Sequence, residues 1–118
     1  MLVILLSDFK CGKCQEKELR RLDSLTSILA PYGVHILGLT TKYKKGFTAR
    51  QKKNAKIKLP IYWINDDTFN NLSFSSEYPQ ILYIVDSIII SAFKPITMDD
   101  EFSENYYKHL IPMITGSL

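Results

Sequence analysis

Cys11 and Cys14 are the only cysteines of the chain. They stand as Cys11-Gly12-Lys13-Cys14, between an apolar run, Leu2 to Leu6, and a charged stretch with helical periodicity. Two thiols one helical turn apart can close a small disulfide, so the pair reads as a redox centre. A helix start supplies unpaired N–H groups and the positive end of the macrodipole, both of which favour a thiolate at the first cysteine. Lys10 and Lys13 flank that cysteine and act in the same direction, placing its expected pKa below the free value of about 8.5. A zinc site is the competing chemistry, but it needs about four ligands, ordinarily a second Cys or His pair at similar spacing. The histidines, His35 and His109, are distant in sequence from each other and from the cysteines. His35 sits in an apolar run and His109 in an amphipathic stretch, and both read as packing or surface residues. Inert thiols are the third option.

A dithiol needs a rigid strand before it and a helix after it. Leu2 to Leu6 is the unbroken apolar run of a strand buried on both faces, and Ser7 to Lys10 make the turn. From Gly12 to Ala30 the residues Leu19, Leu22, Leu25, Ile28 and Leu29 recur at helical spacing, with Glu16, Arg20, Arg21 and Asp23 on the opposite side. Glu16 and Arg20 form an i,i+4 pair, and Pro31-Tyr32-Gly33 ends the helix. Val34 to Leu39 reads as a second strand, which makes a βαβ unit with a right-handed crossover. Thr48 to Ala55 is a basic helix, Pro60 to Ile64 a short strand, and Asp66 to Leu72 a helical turn capped by Asp66 or Asp67. Gln80–Val85 and Ile88–Phe93, joined by Asp86-Ser87, read as an antiparallel hairpin. Met98 to Pro112 is a helix with Thr97 or Asp99 as cap, acids in its first turn, and Phe102, Tyr106 and Leu110 four apart. Tyr83, Phe93, Phe102 and Tyr106 are expected in the core, and a lone tryptophan, Trp63, fits there too, with a place near the dithiol as its other reading.

A chain of 118 residues, 46% of them apolar, makes one packed domain spanning 1–118, without repeats or linkers. No stretch approaches the roughly 20 apolar residues of a membrane span. Leu2 to Leu6 is too short for a signal-peptide core and has no basic segment before it. A start on a core strand fits a compact cytoplasmic protein, or one whose upstream export or anchor segment has been removed, which would place it in a bacterial periplasm or cell envelope. The net charge of +3 hides an asymmetry. Lys42, Lys44, Lys45, Arg50, Lys52, Lys53, Lys56 and Lys58 fall in one stretch without an acidic residue. Such a block reads as a solvated helix face, or as a surface for an anionic partner. Aromatics do not interleave it as base stacking requires, so nucleic acid is not an expected partner.

The order strand–helix–strand–helix, hairpin, helix, with Cys-x-x-Cys opening the first helix and a proline before the hairpin, resembles the thioredoxin fold. Its TlpA/ResA and AhpC/TSA-related branch is the nearest in detail. Cys11 to Glu18 is similar to that branch's motif and charged helix start, and Gly33 to Leu39 resembles its second strand. Leu59-Pro60-Ile61-Tyr62-Trp63-Ile64-Asn65-Asp66 resembles an extra segment of the branch. Tyr78-Pro79-Gln80 occupies the place of the family's cis-proline, and Ile84-Val85-Asp86 with Ile88 to Ile90 matches its hairpin. The resemblance implies an α/β thioredoxin-like fold with a central mixed sheet. It also implies exchange of disulfides with protein partners, without a cofactor or metal. Cys11 would be the nucleophile and Cys14 the resolving thiol. Pro79, in a cis bond, would offer a backbone edge to the substrate, Tyr78 would flank the groove, and Lys10, Gly12 and Lys13 would support it. Three positions depart from the pattern. Lys10 replaces an aromatic before the motif, Leu5 replaces thioredoxin's buried carboxylate, and Asp8 stands where peroxidase relatives carry Thr or Ser. Peroxidase activity is therefore not expected. A thioredoxin-like binding module with vestigial cysteines remains the alternative, and a copper handler a weaker one, because Asp86-Ser87 stand where such relatives place a histidine.

Overall fold

The computed structural model describes residues 1–75, 77–96 and 99–116. Its centre is β1 (Leu2–Leu5), whose alternation divides the core in two. Leu2, Ile4 and Leu6 face one side of the sheet, and Val3 and Leu5 face the other. All five are essentially inaccessible to solvent, as the unbroken apolar run requires.

Around β1 the sheet has five strands in the order β3-β2-β1-β4-β5. β2 (Ile36–Thr41) runs parallel to β1, and β3 (Ile61–Ile64) runs parallel to β2 at one edge. β4 (Gln80–Val85) is antiparallel to β1, and β5 (Ile88–Phe93) closes the hairpin at the other edge. Asp86 and Ser87 both take positive φ, 51° and 66°, which matches the right-handed twist of the flanking strands.

The helices cover the two faces unequally. α1 (Gly12–Leu29) packs Leu19, Leu22, Leu25 and Leu29 on the Leu2 side, joined by Ala55 of α2 (Lys45–Ala55) and by Tyr107 and Leu110 of α4 (Asp100–Thr115). α3 (Asp66–Leu72) sets Phe69 on the Val3 side. Gly38 lies at the centre of β2, where a Cβ would stand 2.7 Å from Leu6 Cδ1 and 3.1 Å from Ile61 Cγ1.

Several sequence expectations shift. The second strand begins at Ile36, two residues after Val34, and α2 begins at Lys45, ahead of Thr48. Asn65 caps α3 in place of Asp66 or Asp67, accepting the Thr68 N–H at 2.8 Å, while the two aspartates fill the first turn. Asp99 caps α4 by accepting the Phe102 N–H at 3.0 Å, while Thr97 and Met98 lie outside the described residues. Phe102 is 40% exposed, half out of the core, with its ring 5.3 Å from that of Phe93. Trp63 is 52% exposed, because β3 is an edge strand with no neighbour beyond it.

Leu19 is wholly buried between α1 and the sheet. Leu19→Ala is expected to cost about 2–5 kcal/mol, read as a lower urea midpoint at unchanged m-value.

Candidate functional site

Gln15 fixes the passage from β1 into α1. Its side chain is fully buried, accepts the Ser7 N–H at 3.1 Å through Oε1 and donates to the Ser7 carbonyl at 2.9 Å through Nε2. The amide therefore pairs with the end of the strand as a neighbouring strand would. Nε2 also donates to Gln51 Oε1 at 2.6 Å, and Gln51 Nε2 donates to the Gly12 carbonyl at 3.1 Å. α2 is thereby tied to the first residue of α1.

This frame puts Cys11 at the N-cap. Its Sγ accepts the Cys14 N–H at 3.2 Å, the bond a serine or aspartate oxygen would make at such a cap. Cys11 and Cys14 are joined as a disulfide, with Cα atoms 5.3 Å apart. Cys11 is partly exposed and Cys14 is buried. The Cys11 N–H donates to the Glu77 carbonyl at 3.1 Å, which anchors the motif to the loop before β4.

Both cysteines line a cleft of about 160 Å3 between α1 and the chain entering α4. Lys13, Lys17, Glu18 and Arg21 contribute one wall, and Pro95, Ile96, Asp99, Asp100 and Ser103 the other. Glu18 is 1% exposed. Its Oε1 accepts from Arg21, and its Oε2 accepts the Tyr107 hydroxyl at 2.6 Å. Arg21 reaches on to Asp100 at 2.8 Å, and Lys17 meets the same carboxylate at 3.2 Å. Burial, followed by the Glu18 charge, pushes the Tyr107 hydroxyl well above its ordinary pKa, so it stays a donor. The hydrogen bonds from Arg21 and then Lys17 hold the Asp100 carboxyl below its ordinary value.

Leu5 does face the core without a charge, but the fold supplies a buried carboxylate elsewhere. Glu18 follows Cys14 by one turn of α1, on the same side. Sequence reading passed over it, although the buried stripe of Leu22, Leu25 and Leu29 projected back one turn lands on Glu18.

Among the expected site residues, Cys11, Lys13 and Cys14 share the cleft, and Gly12 lies between them as the first residue of α1. Lys10 is exposed on the preceding bend. Tyr78 and Pro79 are not part of the cleft wall; they follow Glu77, whose carbonyl accepts the Cys11 N–H. The expectation of a cis bond at Pro79 is corrected, since no peptide bond among the described residues is cis. A trans X-Pro bond is favoured by about 0.5–1 kcal/mol, and Gln80 builds the loop around it. Fully buried, Gln80 accepts from Ser73 Oγ and the Phe74 N–H at 2.8 and 3.0 Å, and donates to the carbonyls of Ser75 and Tyr78. Tyr78 lies under Lys94, whose Nζ is 5.5 Å from the ring centre. Trp63 lies on β3, outside the cleft wall.

Neither a protein-family model nor a curated protein sequence matches this chain. A solved structure described as a candidate thiol:disulfide interchange protein DsbE from Chlorobium tepidum is similar to it, with a TM-score of 0.68 and 11% identity over 93% of this chain and 78% of that one. The five-stranded mixed sheet flanked by helices is thus a thioredoxin-like fold. No helix among the described residues is long and apolar enough to cross a membrane.

A carboxyl whose pKa is lowered by folding stabilises the native state above its unfolded value, and that contribution disappears as pH falls through the folded value. The gap in urea midpoint between the unmodified protein and Asp100→Asn should therefore be open at neutral pH and close below about pH 4.

Proposed function

We propose that the chain is a thiol–disulfide oxidoreductase that exchanges disulfides with partner proteins through Cys11 and Cys14. The observation that carries this reading is the Cys14 N–H aimed at Cys11 Sγ from 3.2 Å, on the more accessible of the two sulfurs. A hydrogen bond to the charged form favours it. Lys13 in the same cleft and the start of α1 add positive potential, which favours the thiolate at Cys11 once the pair is reduced.

With the pair reduced, the Cys11 thiolate attacks one sulfur of a partner disulfide, and the other partner sulfur leaves as a thiolate. Cys14 then gives its proton to the Glu18 carboxylate and attacks Cys11 Sγ. The second partner sulfur leaves, the Cys11–Cys14 bond forms, and the partner has gained two electrons. The reverse sequence oxidises a dithiol. Glu18 suits both roles asked of it. Its charge disfavours a thiolate at Cys14 at rest, which keeps Cys11 the nucleophile, and its carboxylate is the buried acceptor in the cleft. A Cβ at Gly12 would meet nothing within 4 Å, which leaves the approach to Cys11 open. Tyr78 and Pro79 border that approach beyond Glu77, and Lys10 adds positive charge at its rim.

Equilibration with glutathione or dithiothreitol buffers, followed by alkylation and mass measurement, should give a reversible two-electron transition between about −270 and −120 mV. Cys14→Ser should accumulate a mixed disulfide with a disulfide-bonded peptide, whereas Cys11→Ser should not. Glu18→Gln should slow release of that adduct by about 10–100-fold while changing the alkylation rate of Cys11 little. Thiols that stay inert throughout would overturn the enzyme reading, leaving a binding module, or a metal handler if metal is retained stoichiometrically.

A further inference from the structure

The basic stretch and the lone tryptophan take no part in the dithiol chemistry, yet the fold brings them together. Thr40 of β2 and Trp63 of β3 are register partners in a parallel pair, so their side chains share the face that α2 covers. Between them and α2 lies a cleft of about 440 Å3, walled by Thr40, Lys45, Thr48, Lys52, Tyr62 and Trp63. That volume falls in the usual range of small-molecule sites.

Three features of this cleft are unexplained by folding alone. First, its lysines are uncompensated. Lys42 and Lys45 hold their ammonium groups 6.0 and 5.7 Å from the centre of the Trp63 ring. Neither they nor Lys52 meets a carboxylate among the described residues, whereas Lys44 next to them is paired with Asp8 at 2.8 Å. Like charges brought to one ring repel each other, and an anion near them lowers that cost. Second, Trp63 is 52% exposed, leaving flat aromatic surface in water at the sheet edge. Third, Thr40 is wholly buried, and its Oγ1 has no hydrogen-bond partner among the described residues. The Thr48 hydroxyl beside it is satisfied by the Lys45 carbonyl. A buried polar group ordinarily has a partner.

We infer that the cleft between α2 and β3 binds a small molecule that joins a planar ring to phosphate, the ring against Trp63, the phosphate among Lys42, Lys45 and Lys52, and a polar atom at the Thr40 hydroxyl. Lysine ammonium groups are point charges suited to phosphate, and an indole face accepts any flat ring. An isolated cleft bounded by one helix and one short strand fits a ligand of nucleotide size better than a polymer. The inference is independent of the redox reading, since no residue of the cleft lines the dithiol site.

The test uses the full chain with its disulfide intact. Trp63 is the only tryptophan, so its fluorescence reports on this cleft alone. Adenosine diphosphate should quench it saturably, with adenosine and pyrophosphate each weaker by about tenfold or more, and the affinity should fall as salt rises. Lys52→Gln and the near-isosteric Thr40→Val should each weaken binding by about threefold or more. Absence of saturable quenching at millimolar nucleotide would overturn the inference, as would pyrophosphate binding as tightly as the nucleotide. So would a single-stranded oligonucleotide that binds where the mononucleotide does not, or unchanged affinity in both variants.

Discussion

The pairing of a single buried amide, Gln15, with the backbone of Ser7 governs the geometry of this molecule. β1 is buried on both faces and has to release its chain into a helix without stranding the polar groups at its end. Gln15 completes those hydrogen bonds from inside α1, at 3.1 and 2.9 Å. The first turn of the helix is therefore locked to the strand, and Cys11 is held at the cap. An amide with no partner in this place would cost about 1–3 kcal/mol. Because it is satisfied on both ends, it becomes a hinge pin between sheet and site. The same side chain continues to Gln51, so α2 cannot shift without disturbing Gly12.

Charge is handled in the same way on the other side of the dithiol. Glu18 is a carboxylate in a nearly dry environment, and a bare one would be very costly there. Arg21 and Tyr107 occupy its two oxygens, and Arg21 in turn meets Asp100 at the start of α4. α4 is thus docked on α1 by a chain of polar contacts beside a hydrophobic seam of Tyr107 and Leu110. One consequence is that the cleft around the cysteines has an ordered polar floor. A second is that the two cysteines have different surroundings, Cys11 partly exposed at the helix start and Cys14 buried one turn before the buried Glu18 carboxylate.

What could be read from the sequence was what depends on neighbours along the chain. The apolar run of β1, the Asp86-Ser87 turn, and the dithiol between strand and helix are local signals, and the structure has them where they were expected. Features set by contacts across the fold were less legible. Glu18 sits in a stretch, Glu16 to Arg21, that is charged at every position but Leu19 and looks like a solvated face until Tyr107 is known to lie opposite. The bond before Pro79 depends on how Gln80 gathers the carbonyls and N–H groups of its own loop, which no spacing reveals. Trp63 reads as core from its type alone, and only the strand order makes its strand an edge. Phe102 keeps the expected contact with Phe93 and still faces water, because the buried stripe of α4 runs through Ser103, Tyr107 and Leu110.

The strand order also explains why Trp63 and the lysines meet although the sequence keeps them apart. Lys42 to Lys52 precede Trp63 by the rest of a helix and a loop, and the aromatics within the basic run itself are Tyr43 and Phe47. Parallel pairing of β3 with β2 returns Trp63 to the level of Thr40, directly under the helix that carries those lysines. An edge strand whose face is roofed by a basic helix is a cleft by construction, with one wall flat and apolar and the other cationic. Its floor is β2, where Thr40, one strand in from the edge, keeps a buried hydroxyl with no hydrogen-bond partner among the described residues.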